Sequence, residues 1–300
     1  MTPERIALTP VGEMRFGHHL CLTYDSEEER HAVLTAYVRD GLRAGHKVVY
    51  LADGESSEAV LDRLAGAAGR DGPELRAGAE AGHLVIRPIA EAFMASGRFD
   101  PDDTVALLGT EMEVALLQDY AGVRFAGEAS FSVRGWPGTD RFAEFEQSCQ
   151  RAFQAPGSRA MALCQYDRRW FGPEQLRILE ACHDGRVRPD DLYADGVLTI
   201  TPIFGPPGLR LTGAVDESTL PGLLDVLRAE ATRAGHYCLD LSGLEFCDLE
   251  GLRALIGAGG QGAGLERQVI LRGVPAFLEL MMKIAGWDSA PGVYLEGAHR

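Results

Sequence analysis

Apolar positions in the first two thirds of the chain fall into short unbroken runs, separated by segments with a three-to-four-residue period. The runs HLCLTY (His19–Tyr24), KVVYLA (Lys47–Ala52), HLVIRP (His83–Pro88), VRFAG (Val123–Gly127) and RAMALCQY (Arg159–Tyr166) read as strands covered on both faces. Between the first two, Val33, Leu34, Tyr37, Val38 and Leu42 share one face of a helix from Ser26 to Ala44. Ser26 with Glu29 forms a capping box, and Gly45 stands where a left-handed terminating residue is wanted. Ser56 or Ser57 caps a helix through about Ala68, while Leu75 to Gly82 reads as loop. Further helices are predicted from Pro101 to about Tyr120, from Thr139 to Gln154, and from Pro173 to near His183. Strand alternating with helix predicts a doubly wound α/β domain around a parallel sheet.

The polar stretch 184–196 breaks this rhythm and reads as a linker. From Val197 a smaller α/β pattern begins, with short strands flanking Gly205–Gly208 and a helix from Ser218 to Ala234. A strand at Tyr237–Leu241, a helix at Leu249–Gly259, a strand at Gln268–Leu271 and a helix from Pro275 to Ala285 complete it. The expected organisation is residues 1–185 as one domain, 186–196 as linker and 197–300 as a second.

The first strand-to-helix turn, Tyr24-Asp25-Ser26-Glu27-Glu28-Glu29, decides what the larger domain is not. A nucleotide-binding unit places glycines here, with a lysine following, to bring N–H groups and positive charge to phosphates. This turn has neither, and four carboxylates crowd it. The topology is RecA-like without a P-loop. The competing reading, ATP binding or hydrolysis through unusual residues, must work against that negative charge.

The 300 residues carry a net charge of −15, which argues against nucleic acid and anionic membrane as partners. No apolar run approaches the roughly 20 residues of a membrane span, and the start lacks a basic-then-apolar leader. A cytoplasmic protein is expected. The six cysteines form no CxxC pair and read as buried reduced thiols. No GxSxG or HExxH motif occurs, so neither enzyme activity nor a cofactor is expected.

His19 and Cys21 alternate on one strand, so both side chains point to one face. With Tyr24 they are expected near the carboxyl ends of the strands, where doubly wound folds bind ligands. Glu111, Trp136, Tyr166 and Asp167 are the candidates to join them from other elements, and Trp136-Pro137-Gly138 to act as a lid. A metal on His19 and Cys21 would need further ligands, which Cys164 or His183 could supply. No spacing requires one, and none is expected.

Gly17-His-His-Leu-Cys21, Tyr24 with the acidic 26–29 run, Gly41-Leu-Arg-Ala-Gly-His-Lys-Val-Val-Tyr50, Trp136 and Leu163-Cys-Gln-Tyr-Asp167 resemble the MEDS sensory domain. The resemblance implies sensing of a small hydrocarbon derivative, with the family's histidine–x–cysteine pair at His19 and Cys21. Leu211-Thr-Gly-Ala-Val-Asp216, Leu239-Asp-Leu-Ser-Gly-Leu-Glu-Phe246 and Asp248-Leu-Glu-Gly-Leu-Arg-Ala-Leu255 resemble a STAS domain of the anti-sigma factor antagonist type. That implies docking on an anti-sigma factor or related regulator through Asp248, Leu249, Glu250 and Leu252. It also leaves room for a homodimer. Regulated members carry a phosphorylatable serine or threonine after the aspartate; here Leu249 stands in that place, so phosphate cannot gate docking there.

Overall fold

The computed structural model describes residues 7–231, 236–258, 268–288 and 290–296. The chain divides into two compact units, Met1–Pro189 and Asp190–Arg300.

The first unit runs β1 (Leu8–Pro10), β2 (His19–Tyr24), α1 (Glu27–Arg43), β3 (Lys47–Ala52), α2 (Ser57–Ala67), α3 (Gly72–Glu80), β4 (Leu84–Pro88), α4 (Ile89–Phe93), α5 (Pro101–Leu117), β5 (Val123–Glu128), α6 (Phe142–Phe153), β6 (Ala160–Asp167), α7 (Pro173–Glu180) and β7 (Gly185–Arg188). Its seven strands form one sheet in the order β1-β7-β2-β6-β5-β3-β4, every pair parallel.

Alternation along the strands builds a core on each face. Leu20, Leu22, Tyr24, Tyr50 and Leu163 pack beneath Val33, Tyr37, Leu64 and Leu75 of α1 to α3. Cys21, Val49, Phe125, Ala162 and Tyr166 pack beneath Phe93, Ala115, Phe145 and Cys149 of α4 to α6. At the start of α1 the Ser26 hydroxyl accepts from the Glu29 N–H, as the capping pattern required.

Two expectations need correction. Residues 72–80 are helical rather than loop, since Pro73 sits in the first turn and Leu75 buries its side chain. The expected linker is partly strand: β7 pairs with β1 and β2, and residues 193–194 pair within the second unit. Alternating arginine and valine in 186–188 give no apolar run, so only sheet pairing reveals that strand.

The second unit runs β8 (Tyr193–Ala194), β9 (Leu198–Phe204), β10 (Pro207–Val215), α8 (Leu220–Glu230), β11 (His236–Cys247), α9 (Leu249–Gly257), β12 (Gln268–Arg272), α10 (Ala276–Ala285) and β13 (Val293–Leu295). The sheet order is β13-β12-β11-β10-β9-β8, antiparallel at β8–β9–β10 and parallel beyond. Leu209, Leu211, Leu239, Leu241 and Val269 meet Leu223, Leu252, Leu255 and Leu278 in its core. The expected end of α8 at Ala234 lies outside the described residues, as does Gly259 beyond α9. Among the described residues no helix is long and apolar enough to cross a membrane.

Candidate functional site

The buried stripe of α6 is Phe142, Phe145, Glu146, Cys149 and Phe153, the spacing of a helix face pressed against a sheet. One member is a carboxylate, 1% exposed at its side chain. It meets His19 and Cys164, which strand register brings together: His19 pairs with Ala162 and Cys21 with Cys164. His19 and Cys164 are therefore diagonal neighbours on one sheet face. His183 arrives from the turn between α7 and β7.

The four side chains converge closely. His19 Nε2 is 3.2 Å from Glu146 Oε2 and 3.3 Å from Cys164 Sγ. Glu146 Oε2 is 3.7 Å from Cys164 Sγ and 3.6 Å from His183 Nε2. Three of them are held from behind. The Tyr166 hydroxyl donates to Glu146 Oε1 at 2.6 Å, and His183 Nδ1 lies 2.8 Å from the Leu179 carbonyl oxygen. His19 Nδ1 is 3.0 Å from Gln150 Oε1. The Gln150 amide is oriented in turn, because its Nε2 donates to Asp184 Oδ1 at 2.6 Å.

Burial lifts the Cys164 thiol well above its ordinary pKa, and the Glu146 carboxylate adds to the rise. Burial alone would also raise Glu146, but the imidazoles of His19 and His183 that face it hold it below the usual carboxylate value. Burial pushes His183 down to about 4, reinforced by His19.

This cluster forms part of the wall of an apolar cavity of about 40 Å³, otherwise lined by Phe93, Phe125, Phe131, Phe145 and Phe153 among others. A second cavity of about 130 Å³, between α5 and α6, shares Leu108, Phe125, Cys149 and Phe153 with it.

At the carboxyl ends of the strands the arrangement is different. Arg30, buried in the first turns of α1, donates to Glu27 at 2.8 Å and to the Tyr50 hydroxyl and Glu128 Oε1 at 3.2 Å each. Tyr50 also hydrogen-bonds Glu128. Arg169 bridges Asp167, at 2.8 Å from Oδ1, and Glu27, at 2.6 Å. Glu27 is thus part of an ion-pair network. The turn that would cradle phosphate is occupied by the protein's own guanidinium and carboxylate groups.

In the second unit Asp248 caps α9, its Oδ1 accepting from the Gly251 N–H at 2.7 Å. Beside it Phe246 is 51% exposed and Leu249 48% exposed, and Glu250 pairs with Arg253 at 2.7 Å.

Residues 18–184 match the profile of the MEDS family, described as the MEthanogen/methylotroph, DcmR Sensory domain. The chain belongs to the MEDS family. Residues 204–295 match a second profile, described as Mlab, STAS domain, and the second unit is a STAS domain. A sensory domain and a STAS domain on one chain make this a signalling protein.

No curated protein matches the chain. It is similar to an anti-sigma factor antagonist from Mycobacterium paratuberculosis at 22% identity and TM-score 0.27, over 33% of this chain and 84% of that one. It is also similar to the flagellar accessory protein FlaH from Methanocaldococcus jannaschii at 10% identity and TM-score 0.39, over 67% and 80% of the two chains.

The residues expected to form one MEDS site divide between places. His19 and Tyr166 join the buried cluster. Cys21 shares their face, but its thiol reaches the Gly185 carbonyl oxygen at 3.5 Å, and burial pushes it up to about 12. Tyr24 and Asp167 lie on the opposite face, Tyr24 in the other core and Asp167 on Arg169. His19 opens β2, so the cluster does not sit at the carboxyl ends of the strands as expected. Glu111 leaves the site altogether to pair with Arg87 at 2.6 Å. Trp136 packs on Phe131, ring centroids 5.8 Å apart. Its turn is tied to the loop before α5: the Phe99 N–H donates to the Pro137 carbonyl oxygen at 2.8 Å, and Gly138, at φ +88°, abuts Phe99 where a Cβ would collide.

In the STAS domain Leu249 and Glu250 are exposed and Asp248 is half-buried, whereas Leu252 is fully buried and presents no surface to a partner. Sequence reading missed Glu146 and Gln150. The available signal was a glutamate inside an otherwise apolar helical stripe.

Proposed function

We propose that the MEDS domain senses a small apolar molecule held between its sheet and α5 and α6. The STAS domain then relays occupancy by docking on a regulatory protein of the anti-sigma factor class, and no catalysis is involved. The observation that carries this reading is the phenylalanine-lined cavity with His19, Glu146 and Cys164 in its wall. Apolar lining with a few convergent polar groups is the usual make-up of a small-molecule site. Nucleotide binding has weaker support, because Arg30, Glu27, Asp167 and Arg169 already occupy the phosphate turn. To act as a switch, the molecule must bind one state of the protein better than the other.

Thermal melts of the full chain against one- to four-carbon alcohols, thiols and alkyl halides test the sensory half. One compound class is expected to raise the MEDS melting temperature by about 5–10 °C at a hundredfold excess over its dissociation constant. Leu108→Trp, which fills the cavities from α5, is expected to remove that rise. A flat response across the whole series would refute the sensory assignment.

For the relay, Leu249→Arg in the full chain is expected to weaken capture of a sigma-factor regulator at least tenfold, because it buries an unpaired charge in the contact. Equal capture by the variant and the parent would place the docking surface elsewhere.

A further inference from the structure

We infer that His19, Glu146, Cys164 and His183 form a closed binding site for one divalent zinc ion. Geometry comes first. A tetrahedral zinc with bonds of about 2.0–2.3 Å sets its ligand atoms about 3.3–3.8 Å apart. The four contacts here measure 3.2, 3.3, 3.6 and 3.7 Å, and all candidate ligand atoms lie within 4.8 Å of one another. Closing the remaining gaps needs side-chain movements of well under an ångström on each side.

Hydrogen accounting points the same way. The Leu179 carbonyl can only accept, so His183 carries its proton on Nδ1 and presents a lone pair at Nε2. The Asp184 carboxylate can only accept, so the Gln150 amide turns its nitrogen there and its oxygen to His19 Nδ1. His19 is thereby fixed in the same tautomer. With both rings neutral, two Nε2 lone pairs and one carboxylate oxygen face one another with a single hydrogen, that of the Cys164 thiol, between them. His183 Nε2, on a side chain with no exposure, has no hydrogen-bond partner. Buried polar atoms are rarely left so, and a cation at the centre would satisfy all four.

The backing groups are what a metal site uses to orient its ligands: an amide oxygen and a main-chain carbonyl on the two imidazoles, and a tyrosine hydroxyl on the carboxylate. Charge also balances. The ion brings +2, Glu146 brings −1, and Cys164, on losing its proton to solvent, brings −1, leaving a neutral buried centre. Mixed imidazole, thiolate and carboxylate donors suit zinc better than calcium or magnesium, which take oxygen ligands. The four ligands come from β2, α6, β6 and the turn after α7, so the ion would clamp the helix to the sheet. The inference stands independently of what occupies the cavity.

The test uses the full chain, stripped with a chelator and dialysed against zinc chloride. Expected are one zinc per chain by elemental analysis and a melting temperature raised by about 5–15 °C. Calorimetry in buffers of different ionisation enthalpy is expected to register one proton released per ion. Cobalt in its place is expected to give strong visible bands and a thiolate charge-transfer band, which Cys164→Ser loses and Cys21→Ser keeps. Should Cys164→Ser fail to fold, the cobalt spectrum of the parent chain still decides. Substoichiometric zinc, a weak octahedral cobalt spectrum, absence of proton release, or loss of the band in Cys21→Ser would each overturn the assignment.

Discussion

Replacing Arg30 by methionine is expected to destabilise the MEDS domain by about 3–5 kcal/mol, the usual cost of removing one partner of a buried pair. Arg30 is 6% exposed, and its guanidinium serves Glu27, Tyr50 and Glu128 together. Without it, the Glu128 carboxylate stays enclosed with only neutral partners, the Tyr50 hydroxyl and the Asp53 N–H, to answer it. The double variant Arg30→Met/Glu128→Leu is therefore expected to recover most of the loss, since no uncompensated charge remains. The pH dependence follows with a definite sign. Burial already holds the Glu128 carboxyl above its ordinary value against the pull of Arg30, and deleting Arg30 raises it further. An acid with a raised folded pKa contributes stability at low pH that is lost as pH climbs past the unfolded value. The deficit of the single variant is thus expected to shrink from pH 8 toward pH 5. Denaturant midpoints of the three proteins at both pH values check this, and a double variant weaker than the single one would contradict it.

Truncating Phe131 to alanine is expected to cost about 3–5 kcal/mol, as for other fully buried phenylalanines. Its ring contacts Phe93, Phe99, Trp136 and Phe142 at centroid distances of 5.8, 5.5, 5.8 and 5.4 Å, mostly edge-on. Removal forfeits these contacts together with the buried area. Phe131 also lines the smaller cavity, so the variant gains space where the proposed ligand sits. Its melts are expected to respond to longer compounds than those the parent accepts. Phe131→Leu, which leaves less room, should fall between the two in both stability and size limit. A variant as stable as the parent would mean that the aromatic packing collapses to fill the gap.

The pairing of elements in the fold was largely legible because buried parallel strands leave apolar runs. Five such runs mark β2 to β6 to within a residue or two at either end. The edges were not legible. β7 alternates arginine and valine and becomes a strand only through its neighbours, and α3 was hidden behind Gly72-Pro73, which reads as a turn until one sees proline in a first helical turn. For the site, period two correctly put His19 and Cys21 on one face. It could not say that Cys21 would be spent on the Gly185 carbonyl while Cys164 took the place beside His19, because register between distant strands is not written in either one. Tyr24 and Asp167 were misassigned for the opposite reason: proximity along the chain outweighed their odd-numbered offset from His19 and Tyr166. Glu146 was visible as a carboxylate among phenylalanines, but a helix pattern does not say which strand it will face.

Helix α6 carries the phenylalanines of the cavity wall and the carboxylate of the cluster on a single stripe. A rigid rod cannot tilt at one end and leave the other behind. Any guest that pries this rod from the sheet must therefore loosen the grip on an ion, and any ion that draws it in must tighten the space for the guest. Thermodynamic reciprocity then fixes the two effects as equal in size.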